Sequence, residues 1–146
     1  DGFLGAFPRG RELGYRGVSS KTCKGLYKSI LNAARCNHWG EGYFMSGEDL
    51  TTQAGLGVQQ DLALVNLLGI THVERNGHHY VNGMNGVASG EQAAFLAAHP
   101  DMYHRTDGVT RLTITDGQIA IGSLDGVGFA YGTEPDFSAM REMTNG

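Results

Sequence analysis

Lys21, Glu48 and Glu74 are the side chains in this 146-residue chain best suited to moving protons, and they stand 27 and 26 residues apart. A lysine in a partly buried cleft near other cations has its pKa drawn towards neutrality and can take a proton. It can also form a Schiff base with a carbonyl, or simply be solvated at the end of a strand. Lys24, three residues on, would add the positive potential that lowers the pKa of Lys21, or cap the following loop. Glu48 and Asp49 are adjacent acids, so alternation of side chains lets at most one of them face a given site. Either could be a general acid, a hydrogen-bond partner or a metal ligand, or could favour the start of the next helix through its dipole. Glu74 could hydrogen-bond a developing oxyanion if protonated.

His78 and His79 follow Glu74 closely. Adjacent histidines rarely share one metal ion, so pocket or structural roles are the stronger readings. Cys23 and Cys36 lie 13 residues apart without a CxxC pair, which excludes a disulfide scaffold and a cysteine zinc site. Their reduced state is in keeping with a cytoplasmic location. The chain has no GxSxG, GxxxxGK[ST], HExxH or EF-hand pattern. The glycines of 83–90 lack the strand–helix context of a phosphate loop.

The elements that must position these residues alternate. Residues 9–13 read as the end of a helix stopped at Gly14. A short buried strand is expected over 17–20, followed by a helix over 26–34 whose apolar residues Leu26, Ile30, Leu31 and Ala34 share one side. A second strand is expected at 43–45, a helix over 56–68, a third strand over 70–73 and a helix over 90–98 closed by Pro100. The tail alternates over 112–115 and 119–121 around Asp116-Gly117, a strong hairpin turn, and becomes irregular after Gly128. Strands alternating with helices predict an α/β fold with a parallel sheet. Ligands in such folds sit at the C-terminal strand ends, where Lys21, Glu48 and Glu74 fall. Three such strands leave an open edge, so the expectation is a small open sheet or part of a (β/α)8 barrel.

Eleven Lys+Arg against 15 Asp+Glu give a net charge of −4. With 40% hydrophobic and 18% charged residues the chain is globular rather than disordered. A weakly acidic chain without a Lys/Arg block is a poor nucleic-acid or membrane-surface binder. No apolar run approaches the ~20 residues needed to span a bilayer. The chain begins at Asp1, without Met or a signal-peptide pattern, and is expected to be a piece of a longer protein.

The segments GVSSKTCKG, YFMSGEDL and ITHVERNGHHY, in this order and spacing, resemble the last three strands of the barrel of the enolase superfamily, in its mandelate racemase / muconate lactonizing enzyme branch. The resemblance spans about residues 9–124. The pattern departs where Leu26 follows Gly25 in place of the usual second glycine, and in Ser46-Gly47 and the histidine pair. The resemblance implies that residues 1–100 are the C-terminal portion, about strands 6–8, of a (β/α)8 TIM-type barrel. Residues 101–146 are then a hairpin and irregular tail returning to a capping domain. It implies abstraction of the proton alpha to a carboxylate in a small hydroxy acid or acid sugar, leading to dehydration, racemisation or epimerisation. Lys21 is then the base, Glu74 contacts substrate or oxyanion, and Lys24, Glu48, Asp49, His78 and His79 line the pocket. The enolate would be stabilised by Mg2+, whose carboxylate ligands end earlier strands, outside this sequence. The 146 residues alone are expected to be inactive, and the full-length protein is expected to be a homo-oligomer. The alternative is a catalytically silent barrel or a small α/β ligand-binding module.

Overall fold

A computed structural model describes residues 3–48, 55–74, 82–126 and 130–140. The order is α1 (Ala6–Glu12), β1 (Gly17–Ser20), α2 (Leu26–Trp39), β2 (Phe44–Gly47), α3 (Leu56–Leu67), α4 (Ser89–Ala98), β3 (Tyr103–Thr106) and β4 (Val109–Leu112). Short 3-10 turns lie at Thr22–Lys24, Gly122–Leu124 and Phe137–Ala139. The fold is a small α/β arrangement. Among the described residues, no helix is long and apolar enough to cross a membrane.

β1 and β2 pair in parallel with Gly17 opposite Phe44 and Ser20 opposite Gly47. The expected third strand shrinks to one parallel bridge, Gly47 to Val73. Two main-chain bonds hold it: the Gly47 N–H donates to His72 O, and the Glu74 N–H donates to Gly47 O, both at 2.9 Å. Spatial order is therefore β1, β2, then the segment at Val73. On β1, the Arg16 and Ser20 carbonyls accept from Phe44 and Glu48. Alternation turns the main-chain groups of Gly17 and Ser19 towards the other edge, where they meet no backbone partner among the described residues.

α2 runs five residues past the expected end and is rotated from the expected orientation. Ser29, Asn32 and Cys36 form its buried side, while Ile30 and Leu31 of the expected apolar stripe are exposed and Tyr27 is 87% exposed. A hydrogen bond explains the rotation: the Ser20 hydroxyl donates to the Ser29 hydroxyl at 2.8 Å in the interior. A buried hydroxyl without a partner costs about 1–3 kcal/mol, enough to influence which face a short helix buries.

The main apolar core lies away from the sheet. Val58 and Leu62 of α3 pack with Phe95 of α4, Met84, Met102, Tyr103, Leu124 and Ala130. The hairpin also differs from expectation. Its ladder joins β3 to β4 around Asp107-Gly108, whereas Asp116-Gly117 closes only the single pair Thr115–Gln118. Both Asp-Gly pairs have positive φ, as such turns need. The polar strand Tyr103–Thr106, mostly exposed, hid the first from a hydrophobicity reading.

Candidate functional site

The sheet register sets three side chains at one level. Ser20, Gly47 and Val73 are aligned across the parallel segments, and the next residue on each is Lys21, Glu48 or Glu74. The Glu48 N–H donates to Ser20 O at 3.0 Å, which carries the register past the strand ends. Ser20 faces α2 through Ser29, and a side chain on Gly47 would meet Val65 of α3. Side chains alternate along a strand, so the neighbouring positions face the other way. The Ser19 and Ser46 hydroxyls meet on that second face at 3.1 Å. Lys21 and Glu48 extend from the same face one step further along.

There Lys21 Nζ lies 2.5 Å from Glu48 Oε1. The hydrogen bond with Glu48 raises the Lys21 pKa above the ordinary lysine value; burial acts against it, and the charges of Glu48, Cys23 and Glu74 add to the rise. This reverses the expectation of an amine drawn towards neutrality. The carboxylates outweigh both burial and any effect of Lys24, and Lys21 rests as an ammonium ion. The charge of Glu74 is felt at Lys21 and adds to the rise.

Lys24 belongs to the 3-10 turn that opens directly after Lys21, its N–H donating to Lys21 O at 3.1 Å. A cleft of about 390 Å³ is lined by Ser19, Lys21, Lys24 and Glu48 on one side and by Phe7 and Tyr15 on another. Three of the expected pocket residues, Asp49, His78 and His79, lie outside the described residues.

One positioning residue escapes the sequence reading. Asp61, within α3 and 1% exposed, accepts from the Thr22 hydroxyl at 2.6 Å and from the Thr22 N–H at 3.4 Å. It fixes the turn that follows Lys21. Its signal was an acid set between apolar residues in LGVQQDLALV, a pattern that calls for a buried partner.

Among the described residues, no three His, Cys, Asp or Glu side chains converge to hold a metal ion, and Glu48 is engaged by Lys21. The resemblance places the carboxylate ligands of Mg2+ on earlier strands, outside this sequence. The chain matches no protein-family model, no curated protein and no solved structure.

Proposed function

We propose that this chain is the C-terminal part of a (β/α)8-barrel enzyme of the enolase type, and that Lys21 and Glu74 act on the carbon alpha to the carboxylate of a hydroxy acid or acid sugar. The outcome would be racemisation, epimerisation or dehydration. The observation that carries this reading is the common level of Lys21, Glu48 and Glu74 at the C-terminal ends of adjacent parallel segments. Chemistry in folds of this kind gathers at that end. The two free cysteines are in keeping with the cytoplasm.

In the fraction that is the neutral amine, Lys21 takes the alpha proton of the substrate, leaving the electron pair in the enolate. As the ammonium so formed, it can return a proton to the planar carbon, so the amine is regenerated. Glu48 holds the ammonium in place and governs its charge. Glu74 hydrogen-bonds the substrate or its developing oxyanion. The acid or base on the opposite face of the carbon, which decides between elimination and epimerisation, would come from earlier strands outside this sequence, and no step is routed through a metal.

The test is alpha-proton exchange in deuterium oxide, followed by proton NMR on a panel of 2-hydroxy carboxylates with the full-length protein. Lys21→Ala should lower exchange by about 100-fold or more, the usual range for a lost general acid or base. Equal exchange in the variant removes Lys21 from proton transfer.

A second reading has one observation in its favour. The Lys21–Glu48 ion pair is already satisfied, as in a silent barrel or a ligand-binding module. Carboxylate binding without exchange in the wild type would select it.

A further inference from the structure

A buried histidine pins the C-terminal strap of the chain. His99 follows α4 directly and is 2% exposed. Its Nδ1 meets the Ser123 hydroxyl at 3.0 Å, and its ring stands edge-on to Tyr103. Its Nε2 is buried and has no hydrogen-bond partner among the described residues. The residue lying against Nε2 is Gly132: a Cβ there would come within 2.5 Å of Nε2 and 2.6 Å of Cε1. Two residues earlier, Ala130 is seated in the main core.

We propose that His99 is an acid-sensitive latch, and that its protonation releases the strap around residues 130–132 from the α4–hairpin body. In the neutral ring one nitrogen donates and the other accepts, so Ser123 can satisfy Nδ1 while Nε2 goes unpartnered at a modest cost. In the charged ring both nitrogens donate. Nε2–H would then be a buried charged donor with no acceptor among the described residues, which is far more costly.

The groups facing the ring come from each element around it. They are Asp101 after α4, Tyr103 of β3, Ser123 of the 3-10 turn and Gly132 of the strap. Asp101 supplies the opposing charge; its Oδ2 accepts the Ser123 N–H at 3.0 Å, and its Oδ1 is buried with no hydrogen-bond partner among the described residues. Burial lowers the His99 pKa against the attraction of Asp101 and a hydrogen bond to the Ser123 backbone. Gly132 lies against Nε2, so its withdrawal would bring water to that atom. It would also draw Ala130 out of the core.

The experiment is hydrogen–deuterium exchange by mass spectrometry on the full chain at pH 7.5 and 5.0, corrected for intrinsic exchange, with α3 as the internal reference. Protection of the 130–140 peptide should fall on acidification, at most about tenfold per pH unit, the limit for one proton. Protection of α3 should hold. His99→Gln, which can still bond Ser123 and cannot ionise, should abolish the pH response. An equal response in that variant, or parallel loss in α3, overturns the latch. Should the variant fail to fold, NMR titration of His99 in the wild type decides. A pKa below the ordinary 6.5 supports the latch, and an ordinary value overturns it.

Discussion

Lys21 and Glu48 form an ion pair across the ends of β1 and β2, 2.5 Å between Nζ and Oε1. The pair raises the pKa of the amine above the ordinary lysine value, so removing the carboxylate should lower it. Glu48→Gln is expected to lower the Lys21 pKa, read from the ammonium signal in nitrogen-15 NMR. An unmoved titration would show that Glu48 has no hold on it. The sign follows from linkage: a raised lysine pKa contributes stability below the unfolded value of 10.5, and that contribution is lost as pH rises through the folded value. Glu48→Gln should therefore lower stability slightly at neutral pH, where the contribution is present, and flatten the alkaline limb of a stability–pH curve, where the wild type loses it.

Glu74 stands level with Glu48 on the far segment, its N–H donating to Gly47 O. Glu74→Gln should keep the melting temperature while slowing turnover by about 100-fold, the scale of a lost oxyanion contact. Wild-type kinetics would assign it a structural role.

Thr22 is tied to the buried Asp61 by its hydroxyl and its N–H. Thr22→Val removes the hydroxyl and leaves the carboxylate short of a donor. Urea denaturation should show a loss of about 1–3 kcal/mol. No loss would mean that the turn is fixed by other contacts.

Gly47 sits where a side chain would be 3.1 Å from Val73 Cγ1 and 3.3 Å from Val65 Cγ1. Gly47→Val overfills that space and should cost about 1–3 kcal/mol. A variant as stable as the wild type would show that α3 can shift away from the sheet.

Sequence patterns reached the strand-end residues because two signals coincide there. Short apolar runs end in polar residues, and two of those residues are 27 apart while the next two are 26 apart. The helices over 56–67 and 89–98 were legible from their apolar content and their glycine and proline stops. What escaped depends on partners remote in the chain. The buried face of α2 is chosen by a Ser20–Ser29 bond, which apolar spacing cannot register. The hairpin ladder formed at the more polar of two Asp-Gly sites. The pKa direction of Lys21 depends on carboxylates brought alongside it by the fold, and no lysine spacing encodes that. The role of Asp61 needed Thr22, 39 residues away.

The alignment of Lys21, Glu48 and Glu74 is fixed by amide-to-carbonyl bonds, which any L-residue other than proline can make. Mutation can therefore rewrite the chemistry at these positions without disturbing the scaffold that presents it. An insertion of one residue inside β2 would do the reverse, keeping all three side chains and turning Glu48 to the helical side.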